Sequence, residues 1–124
     1  MTDKLVLLVD DEIFVTKSLT YLLENNGVRC VSRNFPENLA AIAEAGMPGV
    51  VVLDINMPGM DGFQVCKELR SNSKLKDVVV IFLSGRGRED DVTKAFEAGA
   101  NHYVKKPFSP MELLDKIKEL YPTT

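Results

Sequence analysis

The chain has little cysteine, a single histidine, no long apolar run and no surplus of positive charge, and each shortage removes a class of function. Cys30 and Cys66 form no Cys-x-x-Cys pair, and His102 stands alone, so no zinc-type ligand set can be assembled. Reduced core thiols are the expectation. The longest apolar run, Val78 to Leu83, is far too short to span a bilayer. Met1-Thr2-Asp3-Lys4 lacks the basic-then-apolar layout of a secretory leader. These features predict a soluble, cytoplasmic protein without a membrane partner. A net charge of −3 and an isoelectric point near 5.2 deny it the basic face that direct nucleic-acid binding needs. Arg86-Gly87-Arg88 and Lys105-Lys106 are small basic groups against that background.

What is present suffices for one compact domain covering residues 1–124, because 45% of the chain is hydrophobic. Short β-branched runs alternate with stretches of helical period, with no low-complexity linker between them. Leu5 to Val9, Val28 to Ser32, Val50 to Leu53, Val79 to Leu83 and Asn101 to Val104 read as strands. A first helix follows from Val15, Leu19, Leu22 and Leu23, closed by Gly27 as a left-handed cap. Leu39, Ile42 and Ala43 mark a second; Phe63, Cys66 and Leu69 a third; Val92, Ala95 and Phe96 a fourth that ends at Gly99. Ser109, Pro110 and Glu112 form a capping box for a fifth, whose apolar stripe is Leu113, Leu114, Ile117, Leu120 and Tyr121. The alternation predicts an α/β fold, a five-stranded parallel sheet doubly wound with helices on both faces. In such sheets ligands gather outside the carboxyl ends of the strands.

Those ends carry the chemistry. Strand one runs into Asp10-Asp11-Glu12, strand three into Asp54, strand four into Ser84, strand five into Lys105-Lys106-Pro107. Taken singly, Asp11 or Glu12 reads as a helix N-cap. Together the carboxylates repel one another and call for a cation. Asp10, Asp11 and Asp54 suit Mg²⁺, which uses one or two carboxylates and keeps several waters, with a backbone carbonyl after Asp54 as a further ligand. A hydroxyl from Ser84 and a point charge from Lys106 complete the parts that hold a transferring phosphoryl group while a carboxylate attacks in line.

Val9-Asp10-Asp11-Glu12, then Asp54 through Gly62, then Ser84-Gly85, then Tyr103-Val104-Lys105-Lys106-Pro107-Phe108, in that order, resemble the response-regulator receiver family over essentially the whole chain. The resemblance implies a flavodoxin-like (βα)5 fold and a phosphorelay receiver. Asp54 corresponds to the phosphoacceptor, Asp10 and Asp11 to the acidic metal pocket, and Asn56 to the residue whose backbone carbonyl completes the Mg²⁺ shell, with Mn²⁺ as a substitute ion. Ser84 matches the switch hydroxyl, Gly85 a small neighbour that leaves access to the acyl phosphate, and Lys106 the lysine that pairs with acceptor or phosphoryl oxygen. Lys106-Pro107 matches a bond usually cis, and Tyr103 an aromatic that swings as Ser84 moves. The implied partners are a sensor histidine kinase or histidine phosphotransfer domain and a downstream protein docking on helix four, strand five and helix five. Asn56 and Arg86 match positions that tune autodephosphorylation, and the cation at Arg86 predicts slow hydrolysis.

Plainer readings stand beside these. Tyr103 can be an aromatic on an edge strand, Met60 a core filler, and His102 a structural side chain. Gly85-x-Gly87 lacks the third glycine of a dinucleotide fingerprint. An aspartyl-phosphate hydrolase would want a second Asp two residues after a strand-one nucleophile, and Asp10-Asp11-Glu12-Ile13 lacks that spacing, so no turnover of an external substrate is expected. A receiver-like module independent of phosphorylation would usually have lost the acceptor, the pocket or the lysine, and all are here. After Tyr121 only Pro122-Thr123-Thr124 remains, so no helix-turn-helix is expected on this chain, and Met1 close to strand one favours a natural start.

Overall fold

A computed structural model describes residues 5–34, 46, 48–55, 61–85, 89–106 and 108–120. The strands are β1 (Leu5–Val9), β2 (Arg29–Arg33), β3 (Val50–Asp54), β4 (Val79–Ser84) and β5 (His102–Lys105). They form one parallel sheet in the order β2-β1-β3-β4-β5. Described helices are α1 (Ile13–Asn25), α2 (Gly62–Ser71), α3 (Glu89–Glu97) and α4 (Pro110–Leu120). The helix expected around Leu39, Ile42 and Ala43 lies outside the described residues, as do Asn56, Met60, Arg86, Gly87, Arg88, Pro107 and Tyr121.

Alternation along each strand divides the core in two. Leu7, Val9, Val51, Leu53, Val80 and Phe82 face Cys66 and Leu69 of α2 and Ala95 of α3. Val6, Leu8, Val50, Val52, Ile81 and Leu83 face Leu19 and Leu23 of α1 and Leu113, Leu114 and Ile117 of α4. Because both faces are covered, β3 is buried from end to end, which explains its unbroken Val-Val-Val-Leu run. The doubly wound parallel sheet expected from the sequence is therefore what forms.

Apart from β1, strand boundaries differ from the apolar runs by a residue. Asp54 and Ser84 are the last residues of their strands, paired with Leu83 and Lys105, because ladder pairing continues past the last apolar side chain. Gly27 adopts φ +79, and the amides of Gly27 and Val28 return to the carbonyls of Glu24 and Leu23 at 3.1 and 2.9 Å, the left-handed stop expected there. At α4, the carbonyl of Ser109 accepts from the amides of Glu112 and Leu113, so the helix opens where the Ser-Pro pair placed it.

Candidate functional site

Register brings the polar strand ends level. Val9 pairs with Leu53, so Asp10 follows one strand while Asp54 ends the next; Ser84 pairs with Lys105, so Lys106 comes immediately after. The backbone of Asp10 is tied on both sides: its amide donates to Arg33 O at 3.1 Å, and Asn34 Nδ2 donates to its carbonyl at 2.8 Å. Asn34 Nδ2 also lies 3.1 Å from the hydroxyl of buried Thr16, which anchors the first turn of α1 beside the site. On the far side, the Lys106 amide donates to Ser84 O at 2.7 Å.

The side chains of Asp10, Glu12 and Asp54 each bring a carboxylate oxygen to within 4.8 Å of the others. Lys106 Nζ binds all three, at 2.8 Å from Asp10 Oδ2, 2.8 Å from Glu12 Oε1 and 3.3 Å from Asp54 Oδ2. Asp10 and Asp54 are only 2% and 5% exposed, whereas Glu12 is 59% exposed, so two carboxylates are inner and one sits at the rim. Burial pushes the Asp10 carboxyl above its ordinary value and the nearby Asp54 charge adds to this, while hydrogen bonds from Lys106 and from the Glu12 amide oppose it. Burial also works against the Lys106 ammonium, but its hydrogen bonds to Asp10 and Glu12 and the charges of Asp54 and Asp10 outweigh that and move it upward. Lys106 is therefore a fixed cation at any physiological pH.

Among the described residues, three carboxylates surround one ammonium. An all-oxygen, anionic and partly buried donor set of this kind fits a hard divalent ion. Asp11, an expected member of that pocket, is exposed in the bend after β1 and is not one of the three. Glu12 is the third carboxylate of the group. It holds the N-cap position of α1 by its backbone, yet its side chain makes no capping hydrogen bond and turns to Lys106 instead. Asp61 is a true cap: its Oδ1 accepts from the amides of Phe63 and Gln64 at 3.0 and 3.3 Å.

Ser84 is completely buried at the end of β4. Among the described residues other than its chain neighbours, an added Cβ at Gly85 would meet no atom within 4 Å. Tyr103 is half-buried and packs against the Phe82 side of the core, and its buried hydroxyl has no hydrogen-bond partner among the described residues. His102 is half-buried on β5; burial and the Lys116 charge push its pKa down. Both thiols are free and pushed up by burial, as inert core cysteines should be.

A groove of about 560 Å³ opens beside the cluster, lined by Glu12, Phe14, Ser18, Gly85, Lys106 and Phe108 among others. Phe14 is 86% exposed at its edge. Among the described residues no helix is long and apolar enough to cross a membrane.

The chain is similar to known proteins. The chain is 34% identical over 113 residues to the phosphate regulon transcriptional regulatory protein PhoB of Escherichia coli, covering 91% of this chain and 49% of that protein. It is 41% identical over 117 residues to the probable transcriptional regulator Ycf27 of Guillardia theta, covering 94% of this chain and 45% of that one. The chain thus spans about half the length of the curated relatives it matches. The solved structure of the chemotaxis response regulator CheY4 of Vibrio cholerae superposes with a TM-score of 0.88 at 27% identity, covering 96% of this chain and 99% of that one. Residues 6–118 match the model of the response regulator receiver domain, and the chain belongs to that family.

Proposed function

We propose that this receiver takes a phosphoryl group from a phosphohistidine donor onto Asp54. The observation that carries the reading is the meeting of two nearly buried carboxylates, Asp10 and Asp54, with the Lys106 ammonium at the carboxyl edge of the sheet. In the transfer, an Asp54 carboxylate oxygen attacks phosphorus, the P–N bond to the donor imidazole breaks, and the electron pair leaves with the imidazole, which takes up a proton. Lys106 supplies positive charge to the equatorial oxygens, and Ser84 supplies a hydroxyl once it turns. Mg²⁺, or Mn²⁺ in its place, supplies charge neutralisation and a template for the phosphoryl oxygens when bound. Asp10 and Asp54 would hold it, with Asp11 and the Asn56 carbonyl assigned on the family's pattern.

The groove beside Lys106, with Phe14 at its edge, offers a sensor kinase or phosphotransfer domain an apolar footing next to the acceptor. Phosphorylation adds about −1.5 to −2 charge beside Ser84. Ser84 turning toward it changes what Tyr103 packs against. The output is a change in the face made by α3, β5 and α4, read by a downstream protein. Direct nucleic-acid contact and membrane attachment have no part in this cytoplasmic role, and no external substrate is turned over. The names of PhoB and Ycf27 describe transcriptional regulators of about twice this length, so control of transcription belongs to a larger assembly in which this receiver would be the switch.

Labelling with a radioactive phosphodonor in Mg²⁺ tests the reading. The parent chain should take up acid-labile phosphate and Asp54→Asn none. Uptake by the Asn variant equal to the parent's would assign the acceptor elsewhere and leave the alternative of a module that works without phosphorylation at Asp54.

A further inference from the structure

A divalent ion that takes oxygens of Asp10 and Asp54 meets an obstacle already in place. Lys106 Nζ sits 2.8 Å from Asp10 Oδ2 and 3.3 Å from Asp54 Oδ2, so a second cation on those oxygens must push the ammonium away. The lysine has another carboxylate within reach. Glu12 Oε1 lies 2.8 Å from the same Nζ, and Glu12 stands at the solvent rim while Asp10 and Asp54 are buried. Its backbone is also committed to the site, because its amide donates to Asp10 Oδ1 at 2.9 Å, fixing the distance between rim and floor. Glu12 is not needed as a helix cap, since its side chain makes no capping bond.

We infer that Glu12 is a positioning residue for Lys106: it retains the ammonium at the rim when a divalent ion takes the two inner carboxylates, and so keeps the lysine within reach of an incoming phosphoryl group. The inference rests on the Mg²⁺ reading above and adds to it a division of labour among the carboxylates. Asp10 and Asp54 exchange one cation for another. Glu12 keeps hold of the lysine throughout.

The test follows the Lys106 side chain by NMR in protein labelled at lysine, in parent, Glu12→Gln and Glu12→Asp, before and after Mg²⁺. Without metal, the Lys106 ammonium should be protected from rapid exchange in parent and Glu12→Gln alike, because Asp10 and Asp54 hold it. With Mg²⁺, protection should persist in the parent and fall to that of a free surface lysine in Glu12→Gln, with Glu12→Asp recovering part of it. A merely structural role for Glu12 would not make the loss depend on Mg²⁺. Three results overturn the inference: Mg²⁺ freeing Lys106 in the parent, Mg²⁺ leaving it equally protected in Glu12→Gln, or Glu12→Gln freeing it before metal is added. Backbone amides of Asp10 and Asp54 are followed in the same spectra. If they ignore Mg²⁺, the metal reading falls and takes this inference with it; if they respond while Lys106 behaves alike in all variants, only the role of Glu12 falls.

Discussion

The two ends of the sheet each hold a half-buried cation, and they use it in opposite ways. At the carboxyl edge Lys106 binds three carboxylates from two segments far away in sequence. At the amino edge Arg70, in the last turn of α2, donates to neutral oxygens: Nε and Nη2 to Gly99 O at 3.0 and 2.7 Å, Nη1 to Lys76 O and Val78 O, and Nη2 to Asn101 Oδ1 at 2.8 Å. Asn101 Oδ1 also accepts from Val80 N, and its amide donates to Val80 O, both at 2.8 Å. Arg70 thereby ties the end of α2 to the starts of β4 and β5 through a rigid planar fork. An ammonium among anions can be exchanged for another cation, while a guanidinium filling carbonyl lone pairs cannot leave without orphaning them. One end presents carboxylates that a different cation can take, and the other closes a corner of the backbone.

Removing each cation should separate function from stability most sharply. Lys106→Met should lower the rate of Asp54 labelling by about 10²-fold or more, the usual size of losing one charge stabiliser in a transition state. Its three carboxylates are then uncompensated, so Mg²⁺ should raise its thermal midpoint more than it raises the parent's. An equal rise in both would mean that Lys106 and the metal do not share oxygens. Arg70→Met should do the reverse, costing about 3 kcal/mol through orphaned carbonyls while leaving labelling of the folded fraction near the parent rate. Chemical denaturation and labelling at low temperature check both halves. A stable Arg70→Met with impaired labelling would erase the contrast.

How far the sequence could be read follows from the same division. Alternating runs and caps located β1 to its last residue and the other strands to within a residue or so, because apolar pattern and backbone pairing agree except at polar strand ends. Asp10, Asp54, Ser84 and Lys106 were legible as a group since parallel topology sends every strand end to one edge, and the register then aligns them. Whether Ser84 and Tyr103 switch is a matter of two packings, which no spacing of residues encodes. Glu12 was hidden by its position: an acidic residue before a helix reads as a cap, and only the arrival of Lys106 from the end of β5 turns its side chain away. Arg70 had no signal at all. An arginine in the last turn of an amphipathic helix looks like a solvated charge favouring the helix dipole, and its acceptors come from loops whose carbonyls carry no sequence mark.

Acid should expose the unequal charge balance at the carboxyl edge. Asp10 has an ordinary pKa of 3.8 and is raised in the fold, so the folded chain binds its proton more tightly than the unfolded one. Stability relative to Asp10→Asn should therefore fall as pH climbs from that ordinary value through the raised one, and stay level beyond it. Mg²⁺ favours the ionised carboxylate, so adding it should flatten this slope. The Lys106 contribution has the opposite partner and a separate window: it is whole below 10.5 and disappears only as alkaline pH passes through the raised folded value. Denaturation midpoints across pH, with and without Mg²⁺, read both. A slope of the other sign in acid would mean that Lys106 outweighs burial at Asp10.

The smallest effect sharpens the amino edge. Gly27 and Gly99 both adopt positive φ, +79 and +108, so alanine at either is strained. At Gly27 an added Cβ meets nothing within 4 Å, and the cost should stay near 1 kcal/mol. At Gly99 it would lie 2.9 Å from Arg70 Cγ and 3.0 Å from Nε, pressing on the side chain whose hydrogen bonds close that corner. Gly99→Ala should therefore cost more than Gly27→Ala in the parent, and the excess should shrink in an Arg70→Ala background, where the Cγ, Nε and Cδ atoms nearest the methyl are gone. A double-mutant cycle on unfolding free energy measures that excess directly. If it survives the loss of Arg70, backbone strain alone sets the cost at Gly99, and the rigidity of the amino edge lies in the turn itself, not in the arginine that spans it.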